Sequence, residues 1–297
     1  MRIFLAGATG VIGRRVVPRL IAAGHQVTAL TRKPDRTATL RALGAEPVVA
    51  DVRDRVAIAT AVEAAAPDIV MHQLTDLAAG DVAANAALRR EGTRNLVDAA
   101  LAAGARRMVA QSVAWFYEAG DEPADETTPL DLAAPGERGS KVRSVAALEA
   151  AVHEMPEWVV LRYGMLYGPG TWHAPDGLTA GMARAGRLAA DDEVVSFVHA
   201  DDAAIAAVQA LTWPAGHAVN ICDDEPVSGR EWVPAFCAAV GAPPPPAADP
   251  GRPGWARGAD NHYARKHLGW VPGYPSWRDG FAAFAGGTPT RLFGTAR

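Results

Sequence analysis

Near the start, the stretch GATGVIG sets Gly7, Gly10 and Gly13 three residues apart, between the apolar run RIFLA and an apolar helix pattern. That spacing suits an anion held at a helix N-terminus. Gly7 would make the tight turn, Gly10 would let a pyrophosphate approach the backbone, and Gly13 would let the helix pack closely on the strand. Thr9, Val11 and Ile12 complete the loop, whose amides would face the anion with the positive end of the helix behind them. The pattern opens a strand–helix–strand alternation, so it predicts a dinucleotide site and not merely a structural turn.

At the end of the second apolar run, in ALTRKPDR, Arg32 and Lys33 stand where a carboxylate would hold a ribose 2′-hydroxyl. Two cations there suit a 2′-phosphate, so NADP is expected in preference to NAD, with Asp35 offsetting part of the charge. Arg14 is either a further phosphate contact or an exposed helix charge. Asp51 and Val52 follow the third strand pattern, and Gln73, Leu74 and Thr75 end the fourth. A doubly wound sheet presents its ligand at the carboxyl ends of its strands, so these residues are expected to line the adenosine half of the pocket. For Asp51 the alternative is the cap of the helix VRDRVAIATAV.

The elements that must position these residues alternate through the first half: RIFLAG, VIGRRVVPRLIAAG, QVTALTR, TATLRALG, EPVVAD, VAIATAVEAAA, DIVMHQL, ALRREGTRNLVDAALAAG and RRMVAQSVA. This predicts an α/β protein with a Rossmann-type doubly wound parallel sheet covered on both faces. Pro18 is expected to kink or loosen the first helix. Beyond Tyr167 the elements shorten and Pro and Gly punctuate them, which predicts a smaller C-terminal α/β lobe. The expected organisation is a dinucleotide-binding domain over residues 1–165 and a lobe over 166–297, interleaved with late elements of the first. Asp201 or Asp202 is expected to cap the helix after SFVH, and the proline-rich stretch 242–254 to form a linker or lid.

A chain of 297 residues that is 49% hydrophobic and 21% charged can bury a large core. It carries no apolar run of about 18 residues and enters a strand pattern without a leader, so a cytoplasmic protein with no membrane partner is expected. A net charge of −4 without a basic block argues against nucleic acid and leaves a small-molecule substrate as the expected partner. Cys222 and Cys237 have no metal or disulfide spacing and are expected to be reduced and packed; no metal site is expected.

The order and spacing of GATGVIG, EGTRNLVDAALAAGARR, LRYGMLYGPG, SFVHADDAA, VNICDDEPVSGREW and KHLGWVPGYPSWRDGF resemble the NAD-dependent epimerase/dehydratase family, the extended and atypical branch of the short-chain dehydrogenases. The resemblance implies a Rossmann domain with a small C-terminal substrate lobe, and a homodimer through the long helices beside the fifth strand. It also implies a tyrosine that exchanges the substrate proton, a lysine four residues later, and a serine or threonine at the end of the fifth strand. Neither alignment of the helix restores the tyrosine: matched on Lys141 its place falls on Glu137, and matched on Glu149 it falls on Lys141, with Val145 on the lysine.

In AQSVAWFY, Ser112 matches the middle serine of the family's strand end and Val113 stands where the catalytic one belongs. Ser112 either reaches the nicotinamide ribose or a substrate oxygen, or is a satisfied strand-end hydroxyl. Tyr117 and Tyr163 are the candidate replacement acids, with aromatic walls as the alternative, and Lys141 is either a nicotinamide-ribose contact or an exposed helix-start charge. Gly164 and Met165 resemble the segment that passes the nicotinamide carboxamide, with a backbone contact from Gly164 and Tyr163 beside it. Tyr167 is expected to shape a turn, and His199 and His72 to be structural. Glu137 would act as an acid only if buried, and Trp172 and His173 either enclose a substrate or pack. The function expected is an NADP-dependent oxidoreductase acting on a carbonyl, alcohol or activated double bond of a small metabolite. The alternatives are an epimerase or dehydratase that retains its cofactor, and a non-catalytic NADP(H)-sensing regulator.

Overall fold

The structure, a computed structural model, describes residues 1–75, 81–248 and 251–286. Its strands are β1 (Arg2–Ala6), β2 (Gln26–Thr31), β3 (Glu46–Val49), β4 (Ile69–His72), β5 (Arg107–Val113), β6 (Glu157–Tyr163), β7 (Met165–Tyr167), β8 (Val194–Val195), β9 (Phe197–His199), β10 (His217–Ile221) and β11 (Val227–Ser228). Helices α1 (Gly13–Ala22), α2 (Thr37–Ala42), α3 (Arg55–Ala65), α4 (Val82–Ala87), α5 (Thr93–Ala102) and α6 (Gly136–Val152) occupy the first half. They are followed by α7 (Leu178–Arg184), α8 (Ala200–Gln209), α9 (Gly229–Ala239), α10 (His262–His267) and α11 (Trp277–Ala282).

Seven strands form one sheet in the order β10-β6-β5-β4-β1-β2-β3, and β1 pairs in parallel with both β2 and β4. The chain therefore builds outward from β1 in one direction through β3, then returns to build outward in the other. This is the expected doubly wound sheet, and the reversal puts its switch point at β1 and β4, where such sheets open a ligand crevice. Strand β4 is buried along its whole length, its apolar run Ile69–Met71 ending in the hydrogen-bonded His72, as a strand covered by helices on both faces should be. Helix α1 runs from Gly13 to Ala22 without ending at Pro18. No helix among the described residues is long and apolar enough to cross a membrane.

The chain divides into two compact units. The first comprises Met1–Ser112, Leu132–Leu161 and Ala204–Ala218; the second comprises Val113–Asp131, Arg162–Ala203 and the described residues from Val219 onward. The core of the first packs Phe4, Val62, Val70, Leu96, Met108, Leu148 and Val160.

The second unit has an aromatic core of Tyr167, Phe197, Trp232, Phe236, Trp277 and Phe281 beside the strand pairs β7–β9 and β8–β11. Tyr167 belongs to this core and is not a turn residue: its ring meets Phe197, His199 and Phe281 edge-on. Cys222 and Cys237 are free and buried, as expected. In the proline-rich stretch, Ala190 is held by the carbonyl of Pro246 and by the amide of Ala248, so this part runs beside the chain at Ala190; residues 249–250 lie outside the described residues.

Asp202 does not cap α8. That helix begins at Ala200, and the Asp202 carboxylate instead accepts the backbone N–H groups of Gly273 and Tyr274, each at 2.9 Å. Asp201 lies in the first helical turn and donates its own N–H to His199 Nδ1 at 3.2 Å. Asp202 is 1% exposed, so its removal leaves two backbone donors without their acceptor. Asp202→Ala is expected to destabilise the protein by about 2–4 kcal/mol, and Asp202→Asn, which keeps one acceptor, by about half as much; chemical denaturation followed by circular dichroism measures both.

Candidate functional site

The glycine turn is tight enough to exclude any side chain. Gly7 has φ +93°, and a Cβ there would overlap the carbonyl of Gln73 at the end of β4. A Cβ at Gly13 would overlap the carbonyl of Gly7. Gly10 differs: it is exposed, and the nearest atom a Cβ would meet is the Gly7 oxygen at 3.3 Å, so its outer face is open to approach. Helix α1 begins without a side-chain cap and without an acidic residue in its first turn. Among the described residues the amides of Val11, Ile12 and Gly13 have no acceptor, so three donors and the helix dipole converge uncompensated. A dinucleotide pyrophosphate fits this arrangement: the donors that would bind it have no acceptor among the described residues, and the turn is open at Gly10.

At the ends of β2 and β3, Arg32 and Lys33 are exposed, and the Lys33 amide is tied to Thr31 Oγ1 at 3.1 Å. Asp51 does not cap α3. Asp54 does, accepting from the amides of Val56 and Ala57 at 3.1 and 3.0 Å. Asp51 binds Arg53 instead, through the backbone at 2.9 Å and the guanidinium at 3.2 Å. Burial works against its charge, but the Arg53 hydrogen bonds and the nearby Arg53 and Arg32 charges hold its carboxyl below the usual range. Asp35 pairs with Arg36 at 3.6 Å. Val52 is buried in the core and its carbonyl accepts from Asn95 at 3.0 Å.

At the end of β4, Thr75 is exposed, Leu74 is half-buried and its carbonyl accepts from Gln111 at 2.9 Å, and Gln73 donates its amide to Ala6 at 2.8 Å. His72 is structural, as expected. The Leu74 N–H donates to its Nδ1 at 3.2 Å, which leaves Nε2–H to donate to Thr93 Oγ1 at 2.8 Å. Burial first, with the Arg89 charge adding to it, lowers its pKa to about 4.

At the end of β5, Ser112 donates to the buried carboxylate of Glu149 at 2.7 Å. This bond registers α6 on the strand, with Val145 and Lys141 one and two turns before Glu149. Lys141 is paired with Glu137 at 2.7 Å across one helical turn, and Glu137 is 73% exposed, so the carboxyl is solvated and held below its usual range by that lysine. The stretch of α6 that faces Ser112 thus offers no phenol.

In the second unit, Tyr117 is 1% exposed, donates to Asn220 Oδ1 and accepts from Arg162 Nη1 at 3.3 Å, with the guanidinium also over its ring. The Asn220 amide in turn donates to Glu126, and Asn220 Nδ2 donates to Ala124. Tyr163 is 3% exposed, and its carbonyl accepts from Ala114 at 2.9 Å. Gly164 donates to Ile221 and lies so close to the carbonyl of Ser196 that a Cβ would stand 2.7 Å from it; Met165 donates to that same carbonyl and is half-buried. Trp172 is exposed. His173 is a packing residue, buried among Phe197, Trp232 and Phe236, its Nδ1 on the carbonyl of Leu166 at 3.1 Å and its pKa lowered to about 4 by burial. His199 stacks at a tilt on Tyr274.

A doubly wound sheet with an uncapped glycine turn at its switch point defines a dinucleotide-binding protein, and a profile of the NAD dependent epimerase/dehydratase family matches residues 3–222. The chain belongs to that family. It is 46% identical over 94% of its length to the 3-diazoavenalumate denitrifying reductase of a Streptomyces species, of which it spans 99%. It is 30% identical over 82% of its length to the 2-alkyl-3-oxoalkanoate reductase of Stenotrophomonas maltophilia, spanning 77% of that protein. Among solved structures it resembles the UDP-glucose 4-epimerase of Thermus thermophilus in complex with NAD. The TM-score is 0.76 at 25% identity, with 96% of this chain and 98% of that one covered.

The neutral, hydrogen-bonded His72 has a consequence for stability. Its folded pKa of about 4 lies below the unfolded 6.5, so the unfolded chain binds the extra proton first as pH falls. Its contribution is complete above about pH 6.5 and is lost as pH falls through about 4, up to about 3 kcal/mol. Denaturant melts of the wild type and His72→Gln at pH 7 and pH 4.5 are expected to show a smaller loss of stability in the variant.

Proposed function

We propose that the protein is an NADP-dependent reductase whose hydride acceptor is a diazo group carried by a small organic acid. The observation that carries this reading is the missing proton donor. The helix registered on Ser112 offers a lysine tied to Glu137 and a valine where the family's phenol and ammonium would stand, and Ser112 itself is committed to Glu149. A ketone receiving hydride becomes an alkoxide and gains greatly from a positioned acid, about 10²–10⁴ in rate. An aryl diazonium cation is neutralised by hydride and needs none.

The balance is simple: an aryl diazonium and one hydride give the arene and dinitrogen, with one nicotinamide oxidised and no external proton consumed. Alkyl diazonium ions lose dinitrogen unaided in water, so the acceptor that awaits an enzyme is an aryl or otherwise conjugated one. The activity for which the 46% identical relative is named, denitrifying reduction of a diazo acid, supports the same reading.

When bound, the dinucleotide would supply the hydride. Gly7, Thr9, Gly10, Val11, Ile12 and Gly13 would hold its pyrophosphate, and Arg32 and Lys33 its 2′-phosphate, with Asp51 kept from opposing them by Arg53. Gln73, Leu74 and Thr75 follow along the same crevice. Tyr117 and Tyr163 are read as framework: the Tyr117 phenol is held between Asn220 and Arg162, and both rings are buried.

With a carboxybenzenediazonium as probe, one NADPH is expected to be oxidised per dinitrogen released, and Tyr117→Phe and Tyr163→Phe are expected to keep kcat within about tenfold. A kcat drop of about 10² or more in either variant, with its fold intact, would return the acid role to that phenol. NADPH oxidation with ketones and none with the diazo probe would move the assignment to a carbonyl reductase. Separately, fluorescence titration is expected to favour NADPH over NADH, and Arg32→Ala/Lys33→Ala is expected to weaken NADPH alone by about tenfold or more, the scale of lost charge-assisted hydrogen bonds.

A further inference from the structure

Between α4 and α5 the backbone makes one wide turn, a π-helical segment at Leu88–Gly92. Such turns re-aim side chains within a continuous helix and are frequent at functional sites. Here two adjacent arginines part: Arg90 is exposed, while Arg89 is 8% exposed and points inward. Its contact among the described residues is Nη1 to Ser144 Oγ on α6, at 3.5 Å. Ser144 in turn donates to the carbonyl of Lys141 at 2.7 Å, so it has lone pairs for Arg89 and no charge to offset it.

That is a poor return for burying a guanidinium. Five N–H donors lie in one plane, and a single long contact to a neutral hydroxyl leaves others open to a further acceptor, since no Arg89 nitrogen is among the fully buried unpaired atoms. Desolvation of an ion costs several kcal/mol unless a counter-charge arrives. Arg107, also inward-facing, shows what a structural arginine looks like in this fold: it reaches Glu157 at 2.9 Å and the carbonyls of Ala210 and Trp213 at 3.0 and 2.8 Å. Burial lowers the Arg89 pKa only to about 10, so the group stays a cation at neutral pH.

We propose that Arg89 is the anchor for a carboxylate of the substrate, received by the planar fork of the guanidinium with the Ser144 hydroxyl beside it. A carboxylate matches the fork in two parallel hydrogen bonds. The sheet order places this group on the side of β1 that carries Ser112 and α6, away from Arg32 and Lys33. Arg32 and Lys33 end β2, on one side of β1; Arg89 lies beside His72 at the end of β4 and against α6, on the other. The proposal rests on the reductase reading for the identity of the ligand, and supplies the residue that would read its acid group.

The test is calorimetric titration of the full-length protein with cinnamate, an aromatic acid with no diazo group, and with cinnamamide, its neutral counterpart, alongside NADPH. The wild type is expected to bind cinnamate. Arg89→Met is expected to weaken cinnamate by about tenfold or more, as lost hydrogen bonds to a charge do, with cinnamamide and NADPH unchanged. Arg89→Lys, which keeps the charge and loses the fork, is expected to fall between, and carries the test if Arg89→Met does not fold.

Equal cinnamate affinity in the wild type and the variants overturns the proposal, as does no cinnamate binding to the wild type. A parallel loss of NADPH affinity also overturns it, by assigning Arg89 to a cofactor phosphate. The two readings fail separately. Arg89-dependent cinnamate binding without diazo reduction leaves the anion site standing and removes the reductase reading. Diazo reduction with an unchanged KM in Arg89→Met does the reverse.

Discussion

No side chain fits where the first strand turns into the first helix. The carbonyl of Gln73 lies where a Cβ of residue 7 would be, and the carbonyl of Gly7 lies where a Cβ of residue 13 would be. These two close approaches hold the N-terminus of α1 against the end of β4. With any larger residue the helix start would move off the sheet, and the amides of Val11, Ile12 and Gly13 would no longer converge. Because the same point is the switch of the strand order, the steric constraint and the topology fix the crevice in one place. The alternation of strands and helices downstream follows from a sheet that must be buried on both faces, as the fully buried β4 requires.

A second constraint sets the register of the helix that should carry the chemistry. The Ser112–Glu149 hydrogen bond joins a strand-end hydroxyl to a buried carboxylate and fixes which turns of α6 stand beside the end of β5. Buried carboxylates are stabilised by partners, so this bond offsets part of the cost of burying Glu149 as well as aligning the helix. With the helix matched on Glu149, Val145 and Lys141 lie one and two turns before it, where the resemblance puts the family's lysine and tyrosine. The departure therefore lies in the composition of the helix face and not in a shift of the helix.

Much of this was legible because it is written in local spacing. The three glycines, the cations after β2 and the strand-end residues Gln73, Leu74 and Thr75 each sit at an interval the backbone geometry dictates. The misses share a cause, which is that side chains choose among several nearby partners. Asp51 and Asp54 both precede α3, and only the one three residues before Ala57 can reach its first free amides. Asp201 and Asp202 resemble caps, yet Asp202 finds two unpaired amides far along the chain, at Gly273 and Tyr274, which no local pattern records.

Arg89 is the instructive omission, since a signal for it existed. Asn85, Arg89, Thr93 and Leu96 repeat at helical spacing and are all buried, so a charged residue lay on the inward stripe of an otherwise ordinary helix. The neighbouring Arg90 and Glu91 give the stretch the composition of a solvated run. An arginine on a buried stripe is stabilised by an anion, and on the proposed reading that preference has a chemical meaning. On the proposed reading, in which no positioned donor stabilises a developing alkoxide, selectivity comes from how the acceptor is held. One end of such a substrate is neutralised by hydride, and the other would be held by charge. On that reading an epimerase, which moves a proton through the family's phenol, would have no corresponding use for this arrangement.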